Sequence, residues 1–344
     1  FVERHPYRAL PHLRAARLLQ TGWRADEDKS FLIKDSLDHV VAVCPLFLLD
    51  QPVLRWFRDR RLASSTISGN GPLIDLDLSR RLQADVLAFI EREMRRIARD
   101  IDASVVSVVL PVFAGERSVL SRYRHHPLLP FGYAEELLPM IVLDLDCPEA
   151  EIFAGFRKSS RPLIRQAKRN GVNARPVATR EEWLGFDEAN QWTQADAALP
   201  RSAMERAWDE LIAPGHAIAL AVEHDGKPVS VIVVTIVNRV AHYLLSFNSP
   251  RAYELAANHV AVWEGICEAR RRGARWFELG PLDYGVQKDA QIAHFKMGFG
   301  GIVWYQSRAS LQLTPFRSAT RELAVQSYRA LKQRWRGAET AGRS

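Results

Sequence analysis

"AIALAVEHDGKPVSVIVVTIVNRVAHYLLSF", residues 217–247, decides the fold class of this chain. Its first two apolar, β-branched runs, 217–223 and 229–238, flank Asp225-Gly226. That pair tolerates positive φ and is a strong two-residue hairpin signal. A third run, 241–247, follows a short polar break, so the segment reads as an antiparallel meander.

Downstream, Leu255, His259, Val262, Trp263 and Ile266 recur at helical spacing within 251–273. Arg270 to Arg272 suit the negative end of that helix and Gly273 its termination. Residues 275–280 then read as a strand, 289–297 as a short helix and 302–313 as a closing strand, giving the order β-β-β-α-β-α-β. The first half echoes this with strands at 31–34 and 40–49, a helix from Ser79 to Asp100, and strands at 104–110 and 137–145. The repetition predicts an α/β (α+β) chain built by tandem duplication, each unit a mixed, mostly antiparallel sheet flanked by helices. The expected units are 1–146 and 147–315, followed by an amphipathic helix and tail over 316–344. In that helix Leu323, Tyr328 and Leu331 would pack inward, leaving Arg329, Lys332, Arg334 and Arg336 for solvent, a partner or an acidic surface.

A length of 344 residues exceeds one hydrophobic core, and 47% hydrophobic with 25% charged residues excludes disordered and fibrous classes. The longest apolar run, 40–49, contains Pro45 and falls short of the roughly 18 residues that a membrane helix needs. The first ten residues are charged where a secretory signal is apolar, so the expected location is cytoplasmic. Cys44, Cys147 and Cys267 lie far apart without metal-binding spacing, and neither a metal nor a resident cofactor is expected. The net charge is +7, and 39 of the 47 basic residues are arginine. Arginine's planar fork suits phosphate and favours an anionic partner, although a GC-rich coding bias accounts equally for the excess.

Between the halves, Pro162 divides 147–171 into a helix ending near Lys158 and another capped by Ser159 or Ser160 and stopped by Gly171. On the second, Leu163, Ile164 and Ala167 form a buried stripe, with Arg161, Arg165, Lys168 and Arg169 opposite. Six basic residues and no acid between Arg157 and Arg169 point to an anion-contacting helix.

In "HFKMGFGG", 294–301, Lys296 stands beside Gly298, Gly300 and Gly301. Clustered glycines beside a lysine predict a tight turn facing a phosphate or carboxylate. There the ammonium would stabilise a phosphate or an oxyanion, and His294 could act as a general base. Asp283 and Tyr284, in the loop "GPLDYG", are candidates to face substrate, with Tyr284 protonating a leaving group. Tyr243 and Ser246 stand three apart, so on a regular strand they point to opposite faces and at most one reaches a cleft. "NQWTQADAALPR", 190–201, offers Trp192 and Gln194 to stack on and hydrogen-bond an acceptor. With no Ser-His-Asp order and no paired carboxylates, direct attack within a ternary complex fits better than a covalent enzyme intermediate.

The element order and three motifs resemble the FemABX-like branch of the GNAT acyltransferase superfamily. The first motif is R-x-x-I-R-x-A-x-x-x-G-V, met by Arg161, Ile164, Arg165, Ala167, Gly171 and Val172. The second is Glu278-Leu279-Gly280, and the third F-K-x-x-F-G-G, met by Phe295, Lys296, Phe299, Gly300 and Gly301. The loop "SGNGPLID", 68–75, resembles that branch's glycine-rich loop. The resemblance covers most of the chain and implies two fused GNAT-like units that transfer an acyl or aminoacyl group to a small-molecule or peptide amine. Well-known members use aminoacyl-tRNA to extend peptidoglycan precursors, while related enzymes use acyl-CoA. A CoA-binding GNAT usually has a glycine-rich loop before the helix whose N-terminus holds the pyrophosphate. Here "SFNSPRAYELAAN" has no glycine and one basic residue, Arg251. Aminoacyl-tRNA is therefore the favoured donor, held by Arg161, Arg165, Lys168, Arg169 and Arg251, with acyl-CoA the alternative. DNA is not an expected partner. A non-catalytic RNA-binding protein on the same fold is the alternative of another class.

Overall fold

The computed structural model of the chain describes residues 1–5, 8, 12–21, 23, 25–54, 57–65, 71–110, 125–187, 198–283 and 287–314. The expected C-terminal helix, Tyr284, Trp192 and Gln194 lie outside these.

The strands, in chain order, are β1 (Glu27–Asp28), β2 (Phe31–Lys34), β3 (Val40–Cys44), β4 (Phe47–Leu54), β5 (Phe57–Ala63), β6 (Leu73–Ile74), β7 (Val105–Val109), β8 (Ala134–Asp144), β9 (Asn173–Pro176), β10 (Ala217–His224), β11 (Lys227–Val237), β12 (Val240–Asn248), β13 (Trp276–Pro281) and β14 (Ile302–Gln312). The α-helices are α1 (Arg14–Gln20), α2 (Arg80–Asp100), α3 (Glu149–Ala154), α4 (Ser160–Arg169), α5 (Arg180–Gly185), α6 (Arg201–Ala207), α7 (Pro250–Glu254), α8 (Ala257–Arg271) and α9 (Gln287–Met297). Eleven strands form one sheet in the order β1-β4-β5-β7-β14-β8-β13-β12-β11-β10-β9, and β2-β3-β6 form a small second one.

The opening segment folds as its pattern predicts. β10 and β11 pair antiparallel around Asp225 (φ 51°) and Gly226 (φ 70°), and β12 extends the meander. The run expected as one strand over 40–49 is instead split between β3 and β4, which belong to different sheets. Pro45, without an N–H to donate, stands at the break.

The duplication is visible in the pairing. In the first half β4 and β5 pair antiparallel, and β5 pairs in parallel with β7 from Arg61↔Val105 to Ala63↔Ser107, α2 lying between them in the chain. In the second half β11 and β12 pair antiparallel, and β12 pairs in parallel with β13 from Val240↔Trp276 to His242↔Glu278, with α8 between. Both copies share a single sheet, because β14 inserts between β7 and β8.

α2 is capped by Ser79, whose Oγ accepts from the Leu82 N–H, and it buries Ile90, Met94 and Ala98 over Val106 and Val108. α8 buries Val260, Ile266 and Ala269 over Ile141, Leu143 and Phe277. Along β14, Val303 lies opposite Ile141 and Ala309 opposite Val108. Positions an even number apart on a strand share a face, so α2 and α8 cover the same side of the central strands. Between them Leu137, Val303 and Tyr305 are about half exposed, at 53%, 49% and 50%. A second core, built around Leu19, Trp183, Met204, Val231 and Val233, packs α1, α5 and α6 on the meander.

Candidate functional site

β12 and β13 pair over only three residues. Beyond His242 and Glu278, β12 stays with β11 while β13 follows β8, Gly280 lying opposite Ile141 and Pro281 opposite Met140. Each strand carries an extra residue where they part: Leu244 on β12, between the pairs Val234↔Tyr243 and Val233↔Leu245, and Leu279 on β13. Such bulges end pairing, and the carboxyl ends of diverging parallel strands form a cleft.

Leu244 also re-aims its neighbours. Tyr243 and Ser246, expected on opposite faces, lie on the same one, because the bulge adds a residue to the two-residue period. The Tyr243 hydroxyl donates to Ser246 Oγ at 2.6 Å, and Asn248 Nδ2 donates to the same oxygen at 2.9 Å. Asn248 Oδ1 in turn accepts from Ser230 Oγ at 2.6 Å. With two donors on its oxygen, Ser246 keeps its own proton free for a substrate atom. Burial pushes the Tyr243 phenol up to about 12, so it is a proton donor at neutral pH.

Lys296 is on α9, and its Nζ donates to the Pro281 carbonyl at 2.9 Å, at the end of β13. Gly280 (φ 84°) makes room, since a Cβ there would stand 3.2 Å from Nζ. Burial depresses the ammonium to about 8, and no carboxylate pairs with it among the described residues. His294, two positions earlier, is turned about 200° around the helix from Lys296. It stands exposed, away from the Lys296 side. Asp283 is exposed just past β13.

The glycines after Lys296 do not form an open anion cradle as expected. A Cβ on Gly300 would collide with the Gly155 carbonyl, and one on Gly301 would lie 2.5 Å from the Val142 carbonyl. These glycines let the turn press against α3 and β8. A Cβ on Gly298 would lie 2.5 Å from Ser160 Oγ, and the Arg157 N–H donates to the Gly298 carbonyl at 3.0 Å. The start of the basic helix α4 is thereby fixed beside the end of α9.

On α4, Ile164 and Ala167 are buried as expected, whereas Leu163 is exposed. Lys168 is ion-paired with Glu264 of α8, and the Arg165 guanidinium lies 5.2 Å from the Phe153 ring centre. Arg161, half-buried, and Arg169, exposed, have no carboxylate partner among the described residues. Arg251 is exposed on α7.

The segment read as one helix over 251–273 is two. α7 ends at Glu254, and Ala256 takes the left-handed conformation (φ 53°) before α8 begins. That conformation normally selects glycine. The turn ahead of α8 therefore exists without the glycine whose absence argued against CoA. On the first turn of α8, the backbone N–H and ring Nδ1 of His259 both meet Asn258 Oδ1 at 3.0 Å. The ring proton thus sits on Nδ1. Burial lowers this imidazole to about 4, so it is neutral at pH 7.

Sequence reasoning missed one pair. His242 Nδ1 lies 2.5 Å from Glu278 Oε2, at the last rung before the strands part, with Glu278 4% exposed. The available signal was one polar residue in each of two otherwise apolar strands, "VAHYLL" and "WFELG". Among the described residues no cluster of His, Cys, Asp and Glu could hold a metal ion, and no helix is long and apolar enough to cross a membrane.

Residues 154–296 match the acetyltransferase (GNAT) domain family, a span that contains the cleft, α4 and Lys296. No curated protein matches the chain significantly by sequence. Among solved structures, FemX is similar over 93% of this chain and 96% of its own, with a TM-score of 0.64 at 16% identity. L-PGS from Bacillus licheniformis is similar over 89% of each chain, with a TM-score of 0.53 at 12% identity. A tandem GNAT protein from the clavulanic acid biosynthesis pathway is similar over 90% of each chain, with a TM-score of 0.51 at 14% identity. In its fold, its duplicated topology and the match over 154–296, the chain resembles the FemABX-like branch of the GNAT acyltransferases.

Proposed function

We propose that the chain is an aminoacyltransferase that moves an aminoacyl group from tRNA to an amine, with the reacting carbonyl in the fork between β12 and β13. The observation that carries this reading is Lys296, a half-buried ammonium without a carboxylate partner among the described residues, anchored to the Pro281 carbonyl where the strands diverge. A cation held in so dry a place favours negative charge developing on a carbonyl oxygen. Attack forms the bond between the amine nitrogen and the carbonyl carbon, and the ester C–O bond breaks. The amine's proton passes to His242, whose imidazolium Glu278 would stabilise. His259, at about 4, is too weak a base for that step. The departing ribose oxygen takes the Ser246 proton, replaced from Tyr243. Arg161 and Arg169, without a carboxylate partner among the described residues, supply charge for the tRNA backbone.

Acyl-CoA transfer is the second reading, favoured by the left-handed turn at Ala256 ahead of α8. Thermal unfolding with uncharged tRNA, CoA and acetyl-CoA, each at two salt concentrations, separates the two. Stabilisation by tRNA that fades at high salt is the expected result, with the fade reduced in Arg161→Ala/Arg169→Ala. Stabilisation by CoA alone would replace tRNA with an acyl-CoA donor.

A further inference from the structure

We propose that the N-terminal half holds a second ligand site, a cavity of about 580 Å³ between the start of α2 and the end of β7, that takes a small apolar carboxylic acid. The inference is independent of the transfer reaction proposed above. The cavity's place follows from the duplication. β5 and β7 repeat the short parallel pairing of β12 and β13, and α2 stands to them as α8 does to the later pair. The parallel pair and its covering helix therefore occur twice, and the cavity lies beside the first copy, against the start of α2 and the end of β7. β7 and β13 are three strand spacings apart across β14 and β8, ~14 Å, so the two places are separate.

The polar chemistry of the cavity centres on His126, which is 1% exposed and lines its wall. The Leu128 N–H donates to His126 Nδ1 at 3.2 Å, which places the ring proton on Nε2. Burial holds this imidazole down at about 4, the Glu135 charge and the Val108 carbonyl pulling weakly the other way, so the ring is neutral at pH 7. Its buried Nε2–H makes no hydrogen bond of normal geometry, the Val108 backbone giving it only a weak contact. A buried donor so poorly satisfied is costly, and a ligand oxygen would complete it. Arg80, exposed on the first turn of α2, brings a guanidinium to the same cavity and has no carboxylate partner among the described residues.

The remaining lining is mostly apolar, with Leu73, Leu87, Val108 and Leu110 among its walls. His12 and His5 brace the rim, their Nε2 atoms bonded to the Gly71 and Ile74 carbonyls at 2.8 and 2.9 Å. One neutral N–H inside, one cation at the mouth and aliphatic walls fit a carboxylate on an apolar body. A phosphate dianion would need more donors than this cavity offers.

Octanoate, with octan-1-ol as its uncharged counterpart, tests the site by calorimetric titration of the full chain. Saturable 1:1 binding of octanoate is expected, with octanol at least about tenfold weaker, and with His126→Phe and Arg80→Ala each weakening octanoate by about tenfold. Leu87→Trp, which fills the cavity from α2, should abolish binding while circular dichroism and the unliganded Tm stay native. Absence of octanoate binding to a folded wild-type chain would overturn the proposal. So would equal affinity for octanol, or octanoate binding that survives Leu87→Trp or either head-group substitution.

Discussion

Tyr243 and Ser246, three positions apart on one strand, share a 2.6 Å hydrogen bond that a regular strand would forbid. The bulge at Leu244 makes it possible, so the bond reports on the geometry of the whole fork. Tyr243→Phe and Ser246→Ala should therefore be coupled. In urea unfolding the double variant should lose less stability than the sum of the singles, by about 0.5–1.5 kcal/mol.

Lys296 supplies a pH signature. It is charged below about 8 and neutral above, because burial opposes its charge. A role for the ammonium predicts that kcat/KM falls as pH rises through 8. Lys296→Arg, whose guanidinium stays charged, should be flat through that range, and Lys296→Met should lose at least about tenfold in kcat at pH 7. Since the folded chain releases this proton at lower pH than the unfolded one, wild-type stability should rise between pH 8 and the ordinary lysine value of 10.5. Lys296→Met should not show that rise.

Glu278 acts through His242 in the proposed reaction, which separates its effects. Glu278→Gln keeps the side chain's shape and a hydrogen-bonding end but removes the charge that holds an imidazolium. Turnover should fall by about 10²-fold with KM nearly unchanged. Unchanged turnover in the folded variant would confine the pair to a structural role.

Gly300 and Gly132 share positive φ, at 69° and 85°, but differ in what surrounds them. A Cβ on Gly132 would meet nothing within 4 Å, whereas one on Gly300 would strike the Gly155 carbonyl. Gly132→Ala should cost about 1 kcal/mol and Gly300→Ala about 3 kcal/mol or more, measured by chemical denaturation. Equal costs would mean that the turn against α3 can relax.

Much of this architecture was legible in local pattern. The Asp-Gly hairpin, the Ser79 cap and 21-residue α2, the end of α4 before Gly171, and strand β14 all answer to turn, cap and periodicity rules. The cleft was harder to read, because it depends on departures from regularity. Nothing in "HYLLSF" announces an extra residue at Leu244, and Ala256 occupies a conformation that its side chain does not favour. The His242–Glu278 pair arises from a parallel register that joins positions 36 apart, which no local window contains. The glycines before β14 were recognised, but whether a ligand or the protein's own backbone fills their open side depends on tertiary packing.

The central place of β14 bears on how the chain is made. Ser310 meets Ser107 across 203 residues, so β7 and β8 stand with unfilled edges until almost everything described has left the ribosome. The first half cannot complete its sheet as a nascent domain, and a polypeptide stopped before residue 302 would present two bare strand edges to its neighbours. Completion of the sheet is thus deferred to the last described strand, and both edges must be kept from other chains until it arrives.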